Sequence, residues 1–113
     1  MKVAIIGSRG FDDYDLLKSK LAEHINEIEC IISGGAKGAD SLAEKFALDF
    51  NIPTKIFLPD WKVYGRSAGI IRNKEIVKEA DLCFIFWDGK SKGTKSVINF
   101  CKSLNKQSHF FLI

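Results

Sequence analysis

The sequence has few cysteines and no long apolar run, and both scarcities exclude whole classes of protein. Its three cysteines, Cys30, Cys83 and Cys101, lie inside apolar runs and show no CxxC spacing. They predict neither a disulfide framework nor a zinc ribbon, and they favour small, buried, reduced thiols in a cytoplasmic protein. The longest apolar run, Leu82–Trp87, is far shorter than the roughly 20 residues of a membrane span. We therefore expect no membrane partner.

Histidine and excess charge are scarce as well. The two histidines, His24 and His109, have no cysteine or carboxylate at metal-ligand spacing, so no metal site is expected. The net charge of +3 is too small to indicate nucleic-acid binding by itself. The common phosphate signatures are also missing, because no GxGxxG follows the first apolar run and no glycine-rich segment ends in GK[ST] at P-loop spacing.

The remaining composition is that of an ordinary globular domain. Hydrophobic residues make up 46% of the 113 residues and charged residues 27%, close to the averages for folded proteins. This length predicts one domain over residues 1–113.

Five short apolar runs alternate with segments of helical periodicity. None of the runs alternates apolar with polar residues, which favours parallel strands covered on both faces. With right-handed crossovers, the pattern predicts a Rossmann-like, three-layer α/β/α fold with a parallel five-stranded sheet in the order 3-2-1-4-5. The predicted strands are residues 3–6, 30–32, 56–58, 82–87 and 110–113.

Glycines cluster directly after the predicted strands, where the loops of such a sheet converge on the crevice between strands 1 and 4. Segment 34–40, GGAKGAD, has no bulky side chain in its turn, so its backbone N–H groups can approach an anion. The alternative is a tight turn in which the glycines relieve strain. Segment 88–94, DGKSKGT, predicts a second phosphate loop, with a solvated basic turn as its alternative.

The third long helix carries a polar residue on its apolar face. Ile70, Ile76, Val77 and Ala80 define that face, and Asn73 falls inside it. Arg72 lies at the edge of the face. Both residues are candidates to reach the crevice, Asn73 as donor and acceptor and Arg72 as an anion clamp. Alternatively, Asn73 holds a neighbouring loop and Arg72 pairs with Asp88 or Asp60.

Two aromatic residues follow the third predicted strand. Trp61 and Tyr64 lie in segment 59–66, where they can cover the crevice and stack on a base, or pack the loop onto the domain.

These motifs, in order along almost the whole chain, resemble the YspA-like branch of the SLOG superfamily. They are GSR at 7–9 with Phe11, GGAKGAD at 34–40, DW at 60–61, AG at 68–69 with RN at 72–73, and DG through GT at 88–94. The resemblance implies a Rossmann-like domain that binds nucleotides or ligands derived from NAD and ADP-ribose, often as a sensor in phage-conflict and stress systems. Relatives of this kind commonly form dimers, so a homo-oligomer is compatible with it.

Two related families suggest other activities. LOG-type phosphoribohydrolases are similar in segment 34–38, in Arg72 and in Gly93-Thr94, but their catalytic glutamate is absent, since Lys95, Ser96 and Val97 follow Thr94. DprA-like proteins, whose Rossmann-like domain binds single-stranded DNA, are similar in Ser8-Arg9, in segment 33–40 and in Arg72-Asn73. This chain is shorter than theirs.

The leading hypothesis is a domain that binds a nucleotide-like small molecule, with no catalytic residue, metal or resident cofactor expected. The expected ligand-binding residues are Gly7, Ser8, Arg9, Gly34, Gly35, Lys37, Gly38, Asp40, Arg72, Asn73, Asp88, Gly89, Ser91, Gly93 and Thr94.

Two alternatives stay open. The first is a nucleotide hydrolase that uses Asp40 or Asp88 in place of the missing glutamate. The second, less favoured, is a single-stranded nucleic-acid binder with Trp61 and three lysines, Lys90, Lys92 and Lys95, along its groove.

Overall fold

A computed structural model describes residues 1–113 as a five-stranded parallel sheet with helices on both faces. The strands are β1 (Lys2–Gly7), β2 (Cys30–Ser33), β3 (Thr54–Ile56), β4 (Leu82–Trp87) and β5 (Ser108–Leu112). The helices are α1 (Tyr14–Ala22), α2 (Ala39–Asp49), α3 (Trp61–Tyr64), α4 (Ala68–Glu79) and α5 (Lys92–Ser103). Two short 3₁₀ turns, Ile25–Glu27 and Gly65–Ser67, complete the chain.

The sheet order is β3-β2-β1-β4-β5, and every neighbouring pair is parallel. This confirms the fold class and the strand order predicted from the sequence. The central strands β1 and β4 pair from Val3 opposite Leu82 to Gly7 opposite Phe86. The chain leaves β1 towards one face of the sheet and β4 towards the other, so the crevice between their carboxyl ends is the topological switch point.

Alternate residues of the central strands build two separate cores. Val3, Ile5, Phe84 and Phe86 pack with buried residues of α1 and α2, among them Phe46. The intervening residues of the same strands pack on the opposite face with buried residues of α4 and α5. Because both faces of β1 and β4 are covered, nearly every residue of these strands is apolar.

The edge strands differ from the prediction. All three residues of β3 are exposed, and in β5 exposed residues alternate with half-buried ones. Helices cover the middle of the sheet and leave its margins open, so the expectation of strands covered on both faces was wrong for these two. Both also begin two residues earlier than the apolar runs suggest, because pairing extends to polar residues, for example Ile31 with Thr54 and Cys83 with Ser108.

Two smaller expectations need correction, and one short helix was not predicted. Ile70 is 54% exposed and does not belong to the buried face of α4, whereas Ile76 and Val77 do. Cys30 is only partly buried, while Cys83 and Cys101 are buried. The four-residue helix α3 was not predicted, although Asp60 caps it by accepting a hydrogen bond from the Val63 N–H at 3.2 Å. None of the helices combines the length and the apolar character needed to cross a membrane.

Phe46 offers a direct test of the core beneath α2. Phe46 is fully buried and Leu48, two residues along the same helix, is 82% exposed. We expect Phe46→Ala to lower the free energy of unfolding by about 3–5 kcal/mol, because the variant loses apolar burial and leaves a cavity. Leu48→Ala is the matched control and should change it by no more than about 0.5 kcal/mol. Urea unfolding measures both, and equal effects would contradict the packing described here.

Candidate functional site

The loops that follow β1 and β4 are joined to each other at the switch point. Ser8 is buried, and its N–H donates to the carbonyl oxygen of Phe86 at 3.0 Å. Its hydroxyl oxygen accepts a hydrogen bond from the N–H of Asp88 at 3.1 Å. The two loops therefore form one continuous wall across the carboxyl ends of the central strands.

A small polar cavity of about 100 Å³ lies on one side of this wall. Its lining residues are Ile6, Gly7, Arg9, Ala36, Asp40, Arg72, Asn73, Ser91, Gly93 and Thr94. Eight of the fifteen residues predicted to bind a ligand thus meet around one cavity. Ser8 and Asp88 line a neighbouring cleft instead, while Gly34, Gly35, Lys37, Gly38 and Gly89 line neither space.

The glycines of segment 34–40 leave room for protein atoms. Gly38 has a φ of +76°, and a Cβ there would collide with the carbonyl oxygens of Ser8 and Arg9. A Cβ on Gly34 would lie 2.6 Å from Nη1 of Arg72 and 2.9 Å from Oδ2 of Asp40. The close approach made possible by these two glycines is therefore that of neighbouring loops and side chains. This geometry favours the tight-turn interpretation at both positions.

Arg72 connects three parts of the site. Its Nη1 donates to the carbonyl oxygen of Gly34 at 2.6 Å and more weakly to that of Phe57 at 3.4 Å, and its Nε donates to Oδ1 of Asn73 at 2.9 Å. It forms no ion pair with Asp60 or Asp88, so that alternative was wrong. The Nη2 group has no protein acceptor, and Arg72 lines the cavity.

Asn73 is buried, as the helical pattern predicted, and both ends of its amide form hydrogen bonds within the protein. Its Nδ2 donates to the carbonyl oxygen of Gly93 and to Oγ of Ser96, both at 3.3 Å, and its Oδ1 accepts from Arg72. Asn73 thus holds the beginning of α5 against α4. Ser96 was not singled out in the sequence, because only this contact across two helices gives it a role.

Asp40 is the one acidic side chain that lines the cavity. It is only 7% exposed, and Oδ2 accepts a hydrogen bond from the Ala36 N–H at 3.1 Å. Burial raises the pKa of this carboxyl above its usual range, although the Ala36 N–H and the charge of Arg72 oppose the shift. No Arg or Lys nitrogen comes within ion-pair distance of it. A buried carboxyl in a polar cavity is a typical feature of functional sites.

The first turn of α5 presents free donors to the same cavity. Ser91 caps the helix, since its Oγ accepts from the Thr94 N–H at 3.4 Å. The N–H groups of Lys92 and Gly93 have no protein acceptor. A Cβ on Gly93 would meet no atom within 4 Å, so the space beside this residue is open. The N–H groups of Lys92 and Gly93, which Ser91 does not cap, and the helix dipole together favour an anion at this position.

Positive charge around the cavity is not neutralised by neighbouring acids. Arg9, Lys37, Lys90, Lys92 and Lys95 form no ion pair. Burial lowers the pKa of Arg72, with Asp40 opposing the shift and the like charge of Arg9 adding to it. Two guanidinium groups therefore share this region with only one buried carboxyl.

Trp61 and Tyr64 do not cover the cavity. They lie on the short helix α3 and are 58% and 46% exposed, so they neither pack the loop tightly onto the domain nor line the polar space. Tyr64 lines a separate pocket of about 270 Å³, which also includes Arg72.

The opposite pKa shifts of two aspartates predict opposite pH dependences of stability. Because the folded protein raises the pKa of Asp40, it holds the proton more tightly than the unfolded chain does. The free energy of unfolding of the wild type should therefore fall relative to Asp40→Asn as pH rises above the ordinary aspartate pKa of about 4.

Asp88 is the matched control for this measurement. The N–H groups of Ser91 and Lys90 lower the pKa of its carboxyl, so the wild type should gain stability relative to Asp88→Asn as pH rises through the same region. Denaturant unfolding between pH 3 and 7 measures both differences. Slopes of the same sign would contradict the environments described.

Comparison with solved structures supports the fold. DNA processing protein A (DprA) from Streptococcus pneumoniae superposes with a TM-score of 0.80 at 18% sequence identity, over 96% of this chain and 49% of that chain. The Helicobacter pylori protein of the same name gives 0.77 at 22% identity, over 97% of this chain and 64% of that chain. This chain thus spans about half of the first protein and under two thirds of the second.

Sequence comparison gives the family. The Gene 61 protein of Mycobacterium phage D29 is 34% identical, with 83% of this chain and 82% of that protein covered. The family model YAcAr, described as the YspA, cpYpsA-related SLOG family, matches residues 1–64, which include β1, β2 and both of their loops. The chain belongs to the YspA, cpYpsA-related SLOG family.

Proposed function

We propose that this domain binds a nucleotide-like ligand and places a phosphate group in the polar cavity beside the first turn of α5. The observation that carries the proposal is the convergence, in a space of about 100 Å³, of Arg9, Arg72 and the open helix start at Gly93. Each of the three offers donors or positive charge to an anion.

The size of the cavity limits what it accepts. Pockets that enclose a whole small molecule usually measure about 300–1,000 Å³, whereas this one measures about 100 Å³. It has room for a phosphate group, and the rest of a nucleotide must lie outside it. The ligand class that we propose is therefore a nucleoside phosphate, NAD or an ADP-ribose derivative, bound by its phosphate at this point.

Asp40 favours a ligand that also donates a hydrogen bond in the cavity. Asn73 uses its Nδ2 group within the protein, so it has no N–H left to donate to a ribose hydroxyl. Asp40 accepts from the Ala36 N–H through Oδ2, which leaves Oδ1 as an acceptor for a ligand hydroxyl. A ligand that brings both an anionic group and a hydroxyl satisfies the arginines and Asp40 together, as a ribose phosphate does.

We propose binding without efficient hydrolysis. Cleavage of an N-glycosidic bond needs a carboxylate to stabilise positive charge on the ribose or to activate water. Lys95 and Ser96 stand in the first turns of α5, and no Asp or Glu occurs after Asp88. Asp40 is the only carboxylate in the cavity, and its Oδ2 is held by the Ala36 N–H.

Substitution of Gly93 tests the phosphate position. Gly93 and Gly69 each occupy the second residue of a twelve-residue helix, and a Cβ fits at both, since its nearest contact at Gly69 is the Trp61 ring at 3.8 Å. We expect Gly93→Leu to weaken binding of ADP-ribose and pyrophosphate about tenfold or more, because the side chain enters the space of the anion. Isothermal titration calorimetry at low salt measures the affinities.

Gly69→Leu is the control for helix effects. Leucine favours a helix over glycine by up to about 0.8 kcal/mol, so neither variant should unfold the protein. Gly69→Leu should bind both probes like the wild type. If the wild type binds neither probe, or if Gly93→Leu binds them unchanged, the proposed phosphate site is wrong.

Single-stranded DNA is the second candidate ligand, and one observation favours it. Trp61 and Tyr64 are exposed aromatic rings, and Lys90, Lys92 and Lys95 are unpaired, a combination used for base stacking and backbone contact. The structurally similar DprA from Helicobacter pylori binds single-stranded DNA. The aromatic rings, however, lie on α3 and do not line the cavity at the start of α5.

The salt dependence of binding separates the two candidates. Binding of a mononucleotide phosphate displaces few counterions, so we expect the affinity for ADP-ribose to change only modestly between 50 and 200 mM salt. A strand that contacts several lysines would lose affinity by orders of magnitude over the same range. Fluorescence titration of a labelled oligonucleotide measures the DNA affinity of the wild type and of Trp61→Ala. Tight, steeply salt-dependent DNA binding that requires Trp61 would favour the second candidate.

A further inference from the structure

A larger cleft lies on the other side of the wall formed by Ser8 and Asp88. Its volume is about 460 Å³, within the usual range of small-molecule pockets. Its lining residues are Ser8, Gly10, Phe11, Asp12, Asp13, Leu16, Asp88 and Ile113. The sequence did not suggest it, because the end of β5 meets the β1–α1 loop only in the folded sheet.

The cleft and the polar cavity share both of their dividing loops. Along the β1–α1 loop, Gly7 and Arg9 line the cavity, whereas Ser8 and Gly10 line the cleft. In the loop after β4, Asp88 lines the cleft and Ser91 lines the cavity. The cavity and the cleft are therefore lined by neighbouring residues of the same two loops.

The surface of the cleft is mainly apolar. Phe11, Leu16 and Ile113 line it, and Phe11 is held in place by stacking on Phe86 with ring centroids 4.8 Å apart. Gly10 also lines the cleft, and a Cβ there would meet no atom within 4 Å, so the space beside this glycine is open. A flat, partly apolar group such as a nucleobase fits such a surface.

The charged groups of the cleft are carboxylates that accept hydrogen bonds, whereas the cavity is lined mainly by donors and positive charge. Asp13 uses Oδ1 to cap α1 by accepting from the Leu16 N–H at 3.0 Å, and Asp88 uses Oδ1 for the Lys90 and Ser91 N–H groups at 2.8 Å. Oδ2 of Asp13 and both carboxylate oxygens of Asp12 have no protein donor, and no basic side chain pairs with Asp12, Asp13 or Asp88. This electrostatic pattern repels a phosphate and favours hydroxyl and amino groups.

We propose that the cleft binds the nucleoside part of the ligand, with its base on the apolar surface and its hydroxyl or amino groups towards the free carboxylate oxygens. The inference rests on the proposed function, because it assumes that the phosphate occupies the cavity. It goes further by assigning the ligand two ends of opposite character on the two sides of the Ser8–Asp88 wall. An adenosine nucleotide with its ribose diol has both.

The experiment compares three probes, each of which reports on a different part of the surface. Pyrophosphate reports on the cavity, adenosine on the cleft and ADP-ribose on both. We expect Gly10→Val to weaken adenosine and ADP-ribose binding about tenfold or more, since valine fills the open space, and to leave pyrophosphate binding unchanged. Gly93→Leu is the reciprocal variant, which should weaken pyrophosphate and leave adenosine unchanged. Calorimetry or ligand-observed NMR measures each pair.

A second variant keeps the inference testable if Gly10→Val does not fold. The double substitution Asp12→Asn, Asp13→Asn retains a side-chain acceptor for the Leu16 N–H, because asparagine caps a helix about as well as aspartate. It should weaken adenosine about tenfold by removing charged acceptors, and it should leave or slightly improve pyrophosphate binding by removing negative charge.

The outcomes separate this inference from the proposed function. Failure of wild-type protein to bind pyrophosphate overturns the phosphate site itself. Binding of pyrophosphate that is lost in Gly93→Leu, combined with adenosine and ADP-ribose affinities unaffected by both cleft variants, overturns the nucleoside assignment alone. The wild type should bind ADP-ribose more tightly than its 2′-deoxyadenosine counterpart. Loss of this difference in the double variant would support contact between the ribose diol and the carboxylates of Asp12 and Asp13.

Discussion

The hydrogen bonds of Ser8 determine the geometry of the whole carboxyl edge of the sheet. Its N–H extends the pairing of β1 with β4 by one step, and its hydroxyl ties the next residue of the second loop to the first. The side chain of Ser8 is almost completely buried, and its bond to Asp88 is partly buried beside the cleft. The two loops that separate the polar cavity from the cleft are thus joined through this one residue.

The same edge depends on close approaches that leave no room for side chains. Gly38 lies against the backbone of Ser8 and Arg9, and a Cβ on Gly7 would lie 2.6 Å from Cβ of Ala39. The beginning of α2 is thereby pressed against the end of β1. These glycines hold the first loop in position, while Gly93 and Gly10, which have open space beside them, lie on the two surfaces that we propose for a ligand.

All five strands and their order could be predicted from the sequence, but the bounds and exposure of the edge strands and the short helix α3 could not. The apolar runs of β1 and β4 identify the middle of the sheet, and the place of Asn73 on a buried face follows from helical spacing. The exposed strand β3 and the short helix α3 lack such periodicity, because solvent covers most of their side chains. The hydrogen-bond partners of Arg72 and the cleft beside Ser8 and Asp88 depend on contacts between distant segments, for which the sequence carries no local pattern.

Arg72 has a consequence for the cost of binding. Bonds to Gly34, Phe57 and Asn73 already fix its side chain before any ligand arrives. A mobile arginine loses about 0.5–1.5 kcal/mol of conformational freedom when a ligand immobilises it, and this one has lost it during folding. In its proposed role as a phosphate anchor Arg72 is thus preorganised, and substitution by lysine, a single ammonium without the planar fork, would return that entropy cost to the binding step while leaving the formal charge unaltered.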